Sequence, residues 1–370
     1  MSYVPTGPDI HHGWRACTWP PAADARGARL LHEDMERAFA EHGLDMAWLS
    51  AAPVAAMLDA MGGNSPYLSD LARRDTETFA RLLREGPDHV MREILAAVRA
   101  ESPQQPRHAV AHALRTAKRH AALAIALADI GGAWSLQQVT HALSHLAETT
   151  VQVAVRHLLR TAHDAGHLVL PDPDDPARGS GFVVLAMGKL GARELNYSSD
   201  IDLIVLYDPA CHPEHEDLRR IFVRMTSDLV GLMEARDADG YVFRTDLRLR
   251  PDPSATPLAV SFPTAITYYE SMGRTWERAA MIKARPVAGD IAAGQRFLAA
   301  IHPFVWRRHL DFAVIDDIHD MKARIDRHRN AGRGGGGAGG GGGAPPAPPP
   351  PRRGGGGPRG GGGGGRGGGG

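Results

Sequence analysis

Residues Gly181–Asp208 read GFVVLAMGKLGARELNYSSDIDLIVLYD, and the fold turns on this stretch. Phe182 to Ala186 is a short apolar run rich in Val and Leu, the pattern of a buried strand. It stops at Gly188-Lys189-Leu190-Gly191, a predicted turn with two glycines. Ser198-Ser199 then lead into Asp200-Ile201-Asp202, and a second apolar run, Ile201 to Tyr207, follows at once. Side chains two apart on a strand share a face, so Asp200 and Asp202 are expected to point the same way. Like charges that close repel each other unless a cation lies between them. Hard oxygen donors of this kind suit Mg²⁺, with Mn²⁺ as the alternative, and these ions also hold phosphate oxygens.

A third acid fits the same site. Tyr241 to Arg250 reads YVFRTDLRLR, with Phe243, Thr245, Leu247 and Leu249 on one parity and Arg244, Asp246, Arg248 and Arg250 on the other. The alternation predicts a strand with one apolar face and one charged face. Asp246 among three arginines could join the carboxylate pair while the arginines meet phosphates. The glycine turn, the D-x-D strand and the later aspartate together resemble the nucleotidyltransferases of the DNA polymerase beta type.

Length and composition set the frame. The chain has 370 residues, room for two or three domains. Residues 331–370 contain only Gly, Pro, Ala and Arg, hold 24 of the 43 glycines, and cannot bury a core; they read as disordered. That tail carries five arginines and no acid, leaving 37 basic and 42 acidic residues in the rest. Such a balance is ordinary for a soluble protein and carries no signature of specific nucleic-acid binding. Two distant cysteines, Cys17 and Cys211, favour a reducing cytoplasm over a disulfide framework. The opening MSYVPTGPDIHHGW has no signal-peptide pattern, and no apolar stretch approaches membrane-spanning length, so no membrane partner is expected.

Most of the chain before the first strand reads as helix. Residues 1–27 are an irregular lead; 29–58, 67–74, 76–85 and 89–101 carry helical spacing, and Ser65-Pro66 is a start signal. Two long helices follow, 106–131 ending in a glycine pair and 135–165 ending at Gly166. Residues 216–236 form an amphipathic helix placed as a crossover between the D-x-D strand and the third-acid strand. Further helices are predicted at 262–272, 275–283, 291–310 and 313–329. The pairs His108/His112 and His141/His145 have a zinc-compatible spacing but no accompanying Cys or Glu motif, and read as solvated helix faces. Gly188–Gly191 is too short for a P-loop and lacks a Ser or Thr after its lysine.

Longer blocks carry a more specific resemblance. LRTAKRHAALAIALADIGGAWSLQQVTHALS, VVLAMGKLGARELNYSSDIDLIVLYD, YVFRTDLRLRPDPSATPLAVS, YYESMGRTWERAAMIKARPVAGD and FVWRRHLDFAVIDDIHDMKARI occur in this order. Together they resemble the bacterial bifunctional glutamine synthetase adenylyltransferase/adenylyl-removing enzymes from about Gly63 to Arg329. The resemblance implies two nucleotidyltransferase domains in a longer chain, one removing AMP from a tyrosine of glutamine synthetase with phosphate and one attaching it from ATP. The helical leader and the ELNYSSDID wording resemble the N-terminal, removing half.

What the resemblance implies is an α+β protein, predominantly helical, with a small mixed-sheet polymerase-beta-type nucleotidyltransferase domain. Residues 1–175 would be an N-terminal helical region, 176–290 the adenylyl-removing domain, 291–330 the start of a helical continuation, and 331–370 a tail foreign to the family. The abrupt change after about His328 to residues with GC-rich codons fits a shifted reading frame. Asp200, Asp202 and Asp246 would be catalytic and metal-binding. Gly188, Lys189, Gly191 and Ser199 would form the phosphate-side loop, and Arg248, Arg250, Lys283 and Arg285 would lie near phosphates. ATP, ADP and phosphate are the implied small ligands, glutamine synthetase the protein substrate and the PII signalling protein a regulator. The rival readings are ATP-dependent adenylylation and an inactive fragment that only binds glutamine synthetase or PII.

Overall fold

The computed structural model describes residues 10–306. The predicted helix at 313–329, the end of the one predicted at 291–310, and the Gly/Pro/Arg tail lie outside the described residues.

Helices dominate the first half. After a single turn, α1 (His12–Arg15), come α2 (Ala25–Glu41), α3 (Ala52–Asn64), α4 (Pro66–Arg74), α5 (Thr76–Glu85) and α6 (Pro87–Ala100). The stretch 29–58, which its spacing predicts as one helical segment, is two helices. The first ends before Gly43, which takes a left-handed φ of 65°, and a 3-10 turn at Met46–Trp48 intervenes. Ser65 caps α4 by accepting from the Leu68 N–H, with Pro66 in the first turn, as its sequence predicts. The long pair follows as α7 (Arg107–Ile130) and α8 (Leu136–Asp164), the latter opened by a Ser135–Gln138 capping box.

A small mixed sheet takes over. It comprises β1 (Phe182–Ala186), β2 (Ile201–Tyr207), β3 (Thr245–Asp246), β4 (Ala259–Ser261) and β5 (Arg285–Gly289). Strand β1 is central, antiparallel to β2 on one side and to β5 on the other. Both β3 and β4 pair with β2 in parallel, β3 beside residues 201–202 and β4 beside residues 205–207. The parallel β2–β3 step needs a crossover, which α10 (Leu218–Glu234) supplies. Helices α9 (Gly188–Gly191), α11 (Phe262–Ser271), α12 (Thr275–Met281) and α13 (Ile291–Val305) complete the described fold.

Both faces of β1 and β2 are covered, which is why each reads as an unbroken apolar run. Phe182, Val184, Leu203 and Val205 join one hydrophobic cluster with the helices that precede the sheet. Val183, Leu185, Ile204 and Leu206 join a second with Phe262, Tyr269, Phe297 and Phe304.

The structure corrects two expectations. The alternation predicts a third-acid strand from Tyr241 to Arg250, yet only Thr245 and Asp246 ladder onto β2, and the chain then turns. Arg250 draws it round by donating to the carbonyls of Leu247, Pro253 and Thr256. Gly188–Gly191 is one turn of helix rather than a plain turn. Strands β4 and β5 carry no clear sequence signal. The proline in β5, Pro286, is tolerated because β5 lies at the sheet's edge.

Candidate active site

The site grows from the end of β1 and the start of β2. The β1–β2 register brings Ala186 opposite Leu203, and the Met187 N–H donates to the Asp202 carbonyl at 2.9 Å. Gly188 follows with φ of 53°, and a Cβ there would stand 2.6 Å from Asp202 Oδ2. Only glycine permits both the left-handed turn and so close a carboxylate. Gly191 is needed for a different reason: its α-carbon faces the backbone carbonyls of Lys283 and Ala186, with no room for a side chain.

Asp246 reaches the same place from the other side, because β3 is registered so that Asp202 and Asp246 are direct partners across adjacent strands. Asp202 senses the other two aspartates. Burial, then the charges of Asp246 and Asp200, push the Asp202 carboxyl up to about 6, with Arg248 and Lys189 opposing the rise. No side chain or backbone N–H among the described residues hydrogen-bonds that carboxylate. Asp246 differs. Burial would raise its pKa, but Arg248 outweighs burial through side-chain and backbone N–H bonds of 2.5–3.0 Å and holds it below the usual range. Asp200 accepts from Arg244 Nε at 2.5 Å.

Arg244, one of the three arginines that the alternation sets around Asp246, is spent on a carboxylate and neighbouring backbone rather than left free for a phosphate. Besides Asp200, it donates to the Ser198 carbonyl and to Tyr241 Oη, the latter at 3.2 Å. Ser198 is a non-glycine residue at φ of 53°, so Arg244 ties a left-handed turn to the strand bearing the third acid. Lys189 Nζ lies 3.4 Å from Ser199 Oγ, which closes the glycine-loop side.

The remaining basic candidates are engaged elsewhere. Arg250 is the carbonyl staple described above. Lys283 pairs with Glu194 at 3.1 Å. Arg285 bonds buried Glu148 of α8 and the carbonyls of Leu190 and Gly191. These three residues brace the loops around the acids; their side chains are not gathered with the carboxylates as Arg248 and Lys189 are. Of the histidines, His112 turns to Asp239 and His145 to Arg99.

The donor set is oxygen-only, three carboxylates with one of them uncompensated, and this chemistry suits Mg²⁺ or Mn²⁺. Asp200 and Asp246 are held on arginines, and Asp202 is not. Among the described residues no three His, Cys, Asp or Glu side chains stand at mutual metal-ligand spacing.

The chain is similar in sequence to parts of longer chains. A family model described as glutamate-ammonia ligase adenylyltransferase matches residues 55–300. The chain belongs to that family. A bifunctional glutamine synthetase adenylyltransferase/adenylyl-removing enzyme of Bradyrhizobium sp. strain BTAi1 is 53% identical over 268 residues, 72% of this chain and 27% of its own length. One from Rhodopseudomonas palustris strain CGA009 is 49% identical over 327 residues, 86% of this chain and 30% of its own. A third, from strain TIE-1 of that species, is 52% identical over 282 residues, 74% of this chain and 28% of its own. The chain thus spans less than a third of these relatives' length. The family is one of nucleotidyltransferases, which agrees with the small mixed sheet and its paired aspartates. No described helix is long and apolar enough to cross a membrane.

Proposed function

We propose that this chain is a nucleotidyltransferase that removes AMP from a tyrosine of glutamine synthetase by phosphorolysis, releasing ADP. The observation that carries the reading is the Asp202–Asp246 pairing across β2 and β3, with Asp200 in electrostatic reach of Asp202. The choice of removal over attachment is supported by the long helical leader and the ELNYSSDID wording, which resemble the removing half of the bifunctional relatives.

Asp200, Asp202 and Asp246 would hold a divalent cation, which when bound stabilises charge developing on phosphorus oxygens. The chain's own groups do the rest. Arg248 lies against Asp246 and is exposed on its other side, so it can meet a phosphate oxygen while orienting the carboxylate. Lys189 and Ser199 offer donors from the glycine-loop side. Phosphate is already ionised near neutral pH, so Asp246 need not act as a strong base. Its low pKa suits an orienting role.

The test is incubation of the full chain with adenylylated glutamine synthetase, phosphate and Mg²⁺. ADP release, abolished in Asp200→Asn with the fold retained, supports the reading. Undiminished release in that variant refutes the assignment of the acids. Consumption of ATP with pyrophosphate release would turn the assignment to attachment. Binding of glutamine synthetase without either turnover would make the chain a binding fragment.

A further inference from the structure

The cationic face of α7 separates into two kinds of residue. His112, Arg115 and Arg119 reach the turn between α10 and β3. His112 meets Asp239 at 2.7 Å, Arg115 meets Asp237 at 2.5 Å, and Arg119 meets Asp239 at 2.8 Å while also chelating Asp75. His120 adds a bond to Asp75 at 3.1 Å. Each of these side chains has a carboxylate partner.

Lys118, on the same helix, has none. Its Nζ stands 3.7 Å from the centroid of the Phe243 ring, and no acceptor among the described residues bonds it. The residue is only partly accessible to solvent. The charge that acts on it is another cation, Arg244, the residue that holds Asp200. Burial and Arg244 together lower the Lys118 pKa to about 8. Arg236 also lies over a ring, its guanidinium 4.7 Å from that of Tyr241, but it is exposed to solvent and needs no anion there. Around segment 241–244, Arg244 takes Asp200, and the Glu234 carboxylate is taken up by the Thr245 N–H and hydroxyl, so neither acid bonds Lys118. A desolvated ammonium beside a like charge costs free energy unless something anionic completes it.

We propose that Lys118, from the helical region, is an anion-binding residue of the active site that takes a phosphate oxyanion beside Arg244. The oxyanion can come from inorganic phosphate or from the phosphate of a nucleotide. The flanking ring of Phe243 shields the contact from water, which strengthens a charge-assisted bond. The proposal shares its site with the nucleotidyltransferase reading but not its test, since binding needs no turnover.

The experiment titrates the full chain with inorganic phosphate, and separately with ADP, by calorimetry without divalent ions, for wild type, Lys118→Met, Lys118→Gln and Lys118→Arg. Unfolding midpoints of each variant are measured alongside. The expected result is a roughly ten- to a hundredfold loss of affinity in the Met and Gln variants, with most retained in the Arg variant. Their unfolding midpoints should be unchanged or raised, because an uncompensated buried charge has gone. Loss for phosphate alone would assign the free anion, and loss for ADP alone the nucleotide. Wild-type affinity for both in Lys118→Met and Lys118→Gln overturns the proposal. So does a lowered midpoint in both with affinity kept, which would make the lysine a packing partner of Phe243. Wild type that binds phosphate but yields no ADP from adenylylated glutamine synthetase would fault the proposed reaction and leave this inference standing.

Discussion

Replacing Asp202 by asparagine should make the protein more stable while disabling its site. The carboxyl sits at about 6 against an ordinary 3.8, because burial and two neighbouring carboxylates penalise its charge. A shift of roughly two units corresponds to a ceiling of about 3 kcal/mol, at about 1.4 kcal/mol per unit. Solvent reaches part of the group, and screening reduces the figure to about 1–2 kcal/mol. The sign follows from linkage. The folded pKa is raised, so the stabilisation of the protonated form is complete below 3.8 and is lost as pH climbs through about 6. At neutral pH the wild type carries the whole penalty, and the Asp202→Asn variant would carry none. No described hydrogen bond to the carboxylate is broken by the change. The assay is thermal unfolding of wild type and Asp202→Asn without divalent ions, at neutral pH and again in acid. A rise of roughly 2–5 °C at neutral pH is expected, closing as the pH approaches the ordinary carboxylate range. Added Mn²⁺ should then raise the wild-type midpoint and leave the variant's unmoved. A variant that unfolds at a lower temperature than wild type at neutral pH would refute the picture of an uncompensated central carboxylate.

Three further outcomes test the frame around it. Gly188→Ala places a Cβ against Asp202 Oδ2 at a left-handed backbone position, so Mn²⁺ binding measured by titration should fail while stability drops by only about 1–2 kcal/mol. Arg285→Met leaves the buried charge of Glu148 with only the longer 3.6 Å contact to Arg193 and should cost about 2 kcal/mol in denaturant unfolding, most of it recovered by adding Glu148→Gln. Arg250→Lys cannot reproduce the forked donation to the Leu247, Pro253 and Thr256 carbonyls; about 1–2 kcal/mol should be lost, with faster limited proteolysis at residues 250–257.

The parts of the fold legible in the sequence are those whose causes are local. Strands β1 and β2 fall on their predicted bounds because burial on both faces demands unbroken apolar runs. Helices α4, α7 and α8 start and stop near their cap and glycine signals. Strand β5 is hidden in the sequence because its residues, RPVAG, have no strand-like pattern, and pairing with β1 alone makes them a strand. The third-acid strand reads too long for the converse reason. Its alternation continues to Arg250, but after Asp246 the ladder has no partner and Arg250 bends the chain away.

The same division runs through the site. Order along the chain points to Asp200, Asp202 and Asp246 as candidates, because two acids opening an apolar strand conflict with burial unless something offsets their charge. It does not assign partners to the cations. Arg248 stays beside the acids, while Lys283 and Arg285 are drawn to Glu194 and Glu148, and Arg244 takes Asp200. Arginine and lysine look alike in sequence wherever they stand. Which carboxylate each one finds depends on helices and strands up to 137 residues apart meeting in space, and only the folded chain sets those distances.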